Sequence, residues 1–342
     1  MEINSGSKFV RADMRIHSYG SGGSFDVRDD NMTPQNIVDT ALANNLSIIS
    51  ITDHNEIENT KIAIDYAKDK SILFVPGIEV STTQGHLLVY FSSYNELRQF
   101  YGNLTISNEK QICSQGIAEC LNIADSLGGF GILAHIELES GFEKTVRKFG
   151  PHMDALFCHK NLMALEISRK DSVNFYTEQD DQSDAIYDSR MALVKKRRKV
   201  LDLDEASLLP KVMFSDSHVL DKLGINAEGD KKLTRFKVDE LTFEALKIAL
   251  QLHESRVRVE ELIPERVPRF KALKFKGGLL DGQVIEFSSN LTCIIGGRGT
   301  GKSTLVEALC STSGNESTKD INIQRLSIIK KNMPICWSNC LI

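Results

Sequence analysis

Ser47-Ile48-Ile49-Ser50-Ile51-Thr52-Asp53-His54-Asn55-Glu56 is a short β-branched run that ends abruptly in polar groups. Ile48, Ile49 and Ile51 lack a helical period, and the run is short. It therefore predicts a strand buried on both faces, as in a parallel sheet. Thr52, Asp53 and His54 follow at its carboxyl end, where a rigid strand aims side chains for ligation or proton transfer. One Asp-His pair carries little weight alone. The pattern matters because it recurs along the chain.

On the amino-terminal side, Phe9–Met14 predicts a strand that runs into Arg15-Ile16-His17-Ser18, and the glycines of Tyr19–Ser24 predict a loop able to approach a ligand closely. Thr33 as N-cap and Pro34 at the first helical position open a helix with Ile37, Val38, Ala41 and Leu42 on one face. On the carboxyl-terminal side, a helix is expected over Ile57–Asp69, then an apolar run Ile72–Val75 ending in Pro76-Gly77-Ile78-Glu79. A further strand, Leu87–Phe91, follows Gly85-His86. Gln115–Leu127 has helical spacing. Ile132-Leu133-Ala134 runs into His135, Leu162–Ile167 contains Glu166, and Lys211–Phe214 ends in Ser215-Asp216-Ser217-His218. Strands alternating with helices predict an α/β protein with a largely parallel sheet. An acid or imidazole at the end of strand after strand favours a closed barrel, whose rim collects them.

The chain has 342 residues, 41% apolar and 25% charged, with a net charge of −5. These are ordinary values for a folded domain or two and give no overall electrostatic case for nucleic acid. Seven scattered cysteines read as reduced thiols, which points to a cytoplasmic protein. No stretch is long and apolar enough to cross a bilayer.

The strand-end candidates are His17, His54, Glu79, His86, His135, Asp216 and His218. Imidazole and carboxylate together suit Zn, Mn or Fe. In order along the chain, the pieces are Asp13-Met14-Arg15-Ile16-His17-Ser18, Thr52-Asp53-His54, Pro76-Gly77-Ile78-Glu79, His86, Ala134-His135 and Ser215-Asp216-Ser217-His218. This ordered set resembles the PHP (polymerase and histidinol phosphatase) family of metal-dependent phosphoesterases. The resemblance implies a distorted (β/α)7 barrel with two or three ions on its rim. It places His17, Glu79 and Asp216 on one ion and Glu79, His86 and His135 on a second. His54 and His218 belong to a third. Asp53 would orient His54 from behind.

Two positions depart from that pattern. Arg15 stands where the family usually has the first histidine of His-x-His, and a guanidinium is not an ordinary ligand. The first ion then loses a ligand, or Arg15 clamps a substrate phosphate. Gly22 stands where an aspartate is usual, and Asp26 is the candidate substitute. The expectation is two ions held firmly and a third weakly.

Beyond a charged linker at 256–269, Leu273–Phe275 and Val284–Phe287 predict a strand pair, and Leu291–Ile295 a buried strand. The latter leads into Gly296-Gly297-Arg298-Gly299-Thr300-Gly301-Lys302-Ser303, which fits G-x-x-x-x-G-K-[ST], and Thr304 begins a helix. Such a loop cradles nucleotide phosphates, with Lys302 on the β/γ-phosphates and Ser303 on Mg²⁺, so ATP with Mg²⁺ is the expected ligand. Residues 270–310 resemble the opening of an ABC/SMC-like ATPase head, as in PHP-plus-ATPase proteins. No Walker B strand or Ser-Gly-Gly signature follows, which gives an incomplete P-loop NTPase unit, a truncated member of that group, with weak binding and no turnover. The tail, 311–342, lacks an amphipathic period.

The expected activity is hydrolysis of a phosphomonoester or phosphodiester by metal-activated water, on a phosphorylated small molecule or on nucleic acid. The alternative is a non-catalytic regulatory module with a degenerate metal site, serving an ATPase partner domain. SMC-like heads often pair, so a homodimer is admitted. Lys195–Lys199 is a local basic cluster, more often a solvated helix face than a polyanion handle.

Overall fold

A computed structural model of the chain describes residues 6–146, 149–225, 229, 233–259, 270–276, 281–288 and 291–312. The chain divides into two compact units, Lys8–Glu261 and one comprising Met1–Ser7 with Leu262–Ile342. Of the expected linker, residues 260–269 lie outside the described residues, as do 313–342 of the tail.

The larger unit carries β1 (Lys8–Ile16), α1 (Pro34–Ala43), β2 (Ile48–Ile51), α2 (Glu58–Ala67), β3 (Leu73–Phe74), β4 (Gly77–Thr82), β5 (Gly85–Tyr90), α3 (Tyr94–Gly102), α4 (Ile117–Ser126) and β6 (Phe130–Leu133). There follow α5 (Phe142–Thr145), α6 (Pro151–Phe157), β7 (Leu162–Glu166), α7 (Tyr187–Val200), β8 (Lys211–Val212), β9 (Arg235–Val238), α8 (Phe243–Gln251), α9 (His253–Arg256) and β10 (Val257–Arg258). One sheet has the order β10-β9-β1-β2-β3 and the other β4-β5-β6-β7-β8. Isolated bridges join them, Ile16 to Ser217 and His54 to Glu79. The ring β1-β2-β4-β5-β6-β7-β8 thereby closes into a distorted seven-stranded α/β barrel. Both seams run through residues of the strand-end series.

The ring is not wholly parallel. β5 runs against both β4 and β6, whereas β1/β2, β6/β7 and β7/β8 are parallel. The turn at Thr83-Gln84 is far too short for a crossover, so only a hairpin is possible. Reversal puts the beginning of β5, with His86, at the rim where the other strands end. Glu79 likewise belongs to the new strand β4 and does not end the Ile72–Val75 run.

Apolar residues partition by strand alternation. Ala12, Met14, Leu88, Tyr90, Ile132, Ala164 and Val212 form one cluster, which Phe243 and Leu246 of α8 join. Ile78, Val80, Leu87 and Val89 pack instead with Leu97 and Phe100 of α3 and Leu121 of α4. Ile49 and Ile51 pack with Ile37, Val38 and Ala41 of α1, whose N-cap Thr33 accepts from Asn36 N at 3.3 Å. Removing one buried leucine or isoleucine from such a cluster costs about 2–5 kcal/mol.

In the smaller unit, β11 (Ala272–Lys274) pairs antiparallel with β12 (Val284–Glu286), and α10 spans Lys302–Thr312. The expected strand Leu291–Ile295 is not formed. Leu291 is 77% and Ile295 92% exposed. No strand pairs with this stretch among the described residues, and Ile294 is only half-buried. No described helix is long and apolar enough to cross a membrane.

Candidate metal centre

Opposite β2, β1 spends three steps, Asp13 to Ile16, against two, Ile49 to Ile51. The extra residue reverses the alternation, as a bulge does. Ile16 turns to the α1 cluster, and Arg15 and His17 turn to the rim. The Asp13 carboxylate, fully buried, accepts from Ser215 N and Gly224 N, both at 3.0 Å, and so ties β1 to the loop that carries Asp216 and His218.

The rim brings together all seven predicted donors. His17 Nε2 lies 3.0 Å from Asp216 Oδ1 and 3.4 Å from Glu79 Oε2. His86 Nδ1 lies 2.8 Å from Glu79 Oε1. His218, His17, His54, His86 and His135 form a row, with consecutive ring centroids 4.5, 4.8, 5.0 and 5.1 Å apart. Three sets have ligand atoms within 4.8 Å of one another: His17/His54/Glu79, His17/Asp26/His218 and Glu79/His86/His135. The last is the set that the family resemblance implies for a second ion. The other two regroup the remaining residues, with Asp26 entering and Asp216 outside.

The backbone bends to achieve this. His135 (φ +27°) and Asp216 (φ +52°) both have the positive φ that is uncommon outside glycine and a recurrent feature of functional sites. At Gly22 a Cβ would fall 2.8 Å from Glu58 Cβ, so an aspartate cannot stand there without displacing α2. Asp26 faces the cluster from the same loop, with Oδ2 3.0 Å from His218 Nε2 and 3.6 Å from His54 Nε2.

Hydrogen bonds fix the donors from behind. His54 Nδ1 pairs with Ser81 Oγ at 2.7 Å. Asp53, expected to orient His54, instead accepts from Ser18 N (2.6 Å) and Ser18 Oγ (2.5 Å), which holds the turn after His17. His135 N donates to Glu166 Oε2 at 2.9 Å. Glu166 and Ser81 are the residues that sequence reasoning missed. A lone acid closing a buried apolar strand was the available signal for Glu166, whereas nothing local marks Ser81.

Arg15 is buried, and it does not face solvent. Its guanidinium engages Glu79 at 2.6 and 3.0 Å, Glu166 at 3.3 Å and Asp216 at 3.2 Å.

The electrostatics suit ligation. Burial pushes His54 down to about 4 and, with Arg15 nearby, His135 down to about 3. Both rings are thus neutral, the form that binds metal. Burial alone would raise Glu79, but Arg15, His54 and His86 outweigh it and hold the carboxyl well below the usual range. Burial pushes Glu166 up to about 8. Burial opposes the charged His218 ring, yet Asp26 and Asp216 lift it to about 9. Among the described residues, His17 Nδ1 and His135 Nδ1 are buried with no hydrogen-bond partner. Buried polar atoms are rarely left so, and both residues belong to sets of converging donors; in His17 it is the other nitrogen, Nε2, that faces Glu79 and Asp216. The residues fit divalent ions.

Three of the five residues of the basic cluster anchor α7 to its neighbours. Arg197 donates to the carbonyls of Phe157, His159 and Leu162 at 2.6–2.9 Å. Lys196 pairs with Asp154, and Arg198 donates to Ser207 O at 2.8 Å. Lys195 and Lys199 remain exposed.

In the smaller unit, Gly299 (φ +82°) and Gly301 (φ +88°) shape the turn before α10. Lys302 Nζ folds back onto the carbonyls of Gly296 (2.6 Å) and Gly297 (2.5 Å), and Thr300 Oγ1 donates to Gly297 O at 3.0 Å. Ser303 is exposed at the first turn, and the Thr304 side chain lies outside the described residues.

Comparison with known proteins is consistent with this architecture. Endonuclease Q in complex with a 27-mer duplex carrying an abasic lesion is similar at a TM-score of 0.52 and 18% identity, over 73% of this chain and 58% of that one. The lesion-specific endonuclease Q of Pyrococcus furiosus is similar at a TM-score of 0.52 and 15% identity, over 94% and 88%. A two-domain protein of Bacteroides vulgatus, containing a predicted PHP-like metal-dependent phosphoesterase, is similar at a TM-score of 0.47 and 19% identity, over 74% and 64%. The two endonuclease likenesses show a shared fold, and the chain spans 58% of the length of the first. Residues 273–332 match a family described as an AAA domain. No curated protein sequence matches the chain.

Proposed function

We propose that the chain is a divalent-metal-dependent phosphoester hydrolase acting on nucleic acid. One observation carries the reading: seven donors from six strands and their loops converge on one rim, with two buried imidazole nitrogens left unpartnered. His17, His54, Glu79, His86, His135, Asp26 and His218 would hold the ions, with Asp216 pairing His17. Ions there would supply charge stabilisation at a phosphoryl group and activation of water near neutral pH. Glu79 sits between two donor sets, so one carboxylate sets their spacing. Asp53, Ser81 and Glu166 hold His17, His54 and His135 in place, by way of Ser18 in the first case.

Nucleic acid is preferred over a small phosphorylated metabolite for two reasons. The fold is shared with an endonuclease seen on duplex DNA. Phe25 and Tyr19 are exposed on the glycine loop, and the Phe25 ring lies 5.4 Å from His54. Exposed aromatic faces beside a phosphate site stack bases. The test is hydrolysis of a single-stranded oligonucleotide against p-nitrophenyl phosphate, with Mn²⁺ and with chelator. Cleavage of the oligonucleotide that chelator stops is expected. Turnover of the monoester alone would move the substrate to small molecules. No turnover of either would favour the regulatory module, to which the buried Arg15 cation also points.

The loop at Gly296–Ser303 is the proposed nucleotide site of the smaller unit, with Lys302 leaving the carbonyls of Gly296 and Gly297 to meet phosphate. The AAA-domain match at 273–332 supports it.

A further inference from the structure

We propose that the Arg15 guanidinium is a built-in cation occupying one ion's place in the centre, so that this chain takes one ion fewer than its carboxylates suggest. The proposal rests on the metal-centre reading above. Glu79 from β4, Glu166 from the end of β7 and Asp216 from the loop after β8 converge on one point, with His17 beside them. Three carboxylates and an imidazole are a donor set for a divalent cation. The structure fills that point with Arg15, 3% exposed. Nε and Nη2 grip both oxygens of Glu79, Nη1 reaches Glu166 and Nη2 reaches Asp216.

The geometry separates this role from a substrate clamp. A clamp presents N–H groups to the cleft, whereas these point into protein carboxylates. A guanidinium stays protonated and its fork matches carboxylates two oxygens at a time, so it neither dissociates nor yields to a neutral ligand. A second cation between Glu79 and Asp216 would sit against a fixed positive charge in a poorly solvated place. The other donors are untouched. Among the described residues, Arg15 makes no hydrogen bond or ion pair with His86, His135, Asp26 or His218, and His17 Nε2 meets it only through the shared oxygens of Glu79 and Asp216. His17 and His135, each with a buried unpartnered Nδ1, belong to these sets. Arg15 thus fixes the charge that would otherwise come and go with metal, and leaves the flanking positions for exchangeable ions.

The test counts ions. The wild-type chain, Arg15→His and Arg15→Lys are stripped with chelator, reloaded with Mn²⁺ or Zn²⁺, gel-filtered and assayed by elemental mass spectrometry, with melting followed with and without metal. The expected result is about two equivalents for wild type and Arg15→Lys and about three for Arg15→His. The metal-dependent rise in Tm should be largest for Arg15→His, because binding to the folded state alone stabilises it. If Arg15→His fails to fold without metal but is recovered by refolding in Mn²⁺, the proposal stands, since an ion has replaced the guanidinium. Three equivalents in wild type, or equal counts in wild type and Arg15→His, overturn it. No ion in either chain overturns the metal-centre reading beneath it as well, and so is told apart from failure of the Arg15 assignment alone.

Discussion

Arg15 meets Glu79 edge to edge, Nε to Oε2 at 2.6 Å and Nη2 to Oε1 at 3.0 Å, with both side chains buried. Removing one partner of a buried ion pair strands the other charge, at a cost of about 3–5 kcal/mol. Arg15→Ala should lower the metal-free stability by that amount in urea unfolding. Arg15→Ala with Glu79→Gln should recover part of it. A loss under about 1 kcal/mol would show that the pair is solvated in solution.

His135→Ala removes a buried ring whose Nε2 pairs with Ser140 Oγ at 2.8 Å and whose Nδ1 has no protein partner, so it should lower stability without changing the fold and cost much in chemistry. Metal-dependent hydrolysis should fall at least about 100-fold, with an unchanged circular dichroism spectrum. Undiminished turnover would remove His135 from the centre.

Ser81→Ala should separate support from ligation. The hydroxyl bonds His54 Nδ1 at 2.7 Å and so sets which nitrogen faces the ions. Loss of such a contact typically weakens metal affinity about 10–100-fold. Titration of the stripped protein with Zn²⁺ against a competing chelator measures it. Asp53→Asn, by contrast, should act through Ser18 and His17 and leave His54 in place.

Gly22→Asp should fail to restore the expected family acid. The new Cβ would press on Glu58 at 2.8 Å, and crowding of this kind costs about 1–3 kcal/mol. Asp26→Asn should reduce metal binding without that stability loss. A Gly22→Asp chain as stable as wild type would show that the start of α2 yields easily.

The metal-free chain should lose stability as pH rises from about 6.5 to 8. The folded His218 holds its proton to about 9, above the usual histidine value, and Glu166 holds its proton to about 8. In that window the folded state binds more protons than the unfolded chain, so raising the pH favours unfolding. Urea midpoints in chelator at pH 6.5 and 8 test this, and His218→Asn with Glu166→Gln should flatten the difference.

Much of the centre was legible because each donor ends or begins an apolar run, and burial makes such runs unmistakable. His17, His54, His135 and Asp216 needed only that rule. Their partners were harder. Ser81 and Glu166 act through distances set by the sheet, which no local spacing encodes. The grouping of donors also depends on the bulge in β1 and the reversal of β5, both matters of pairing between strands. α3 was overlooked, although Leu97 and Phe100 stand three apart on its buried face and Ser93 and Glu96 spell a capping box that the structure forms. The strand expected at Leu291–Ile295 shows the opposite limit. An apolar run says that a segment can be buried, and burial still requires a neighbour.

The β4–β5 hairpin has a consequence for the order of assembly. Glu79, Ser81 and His86 lie on one short hairpin, with Ser81 directly across from His86. Contacts this close in sequence close small loops and form early. Asp216 and His218 reach the same rim from the far end of the barrel, through the bridge of Ser217 to Ile16. During synthesis, the nascent chain would carry His17, Asp26, His54, Glu79 and His86 long before Asp216 and His218 emerge. The centre would be finished only when the last strand of the ring docks against the first, making its completion a late checkpoint on folding of the whole barrel.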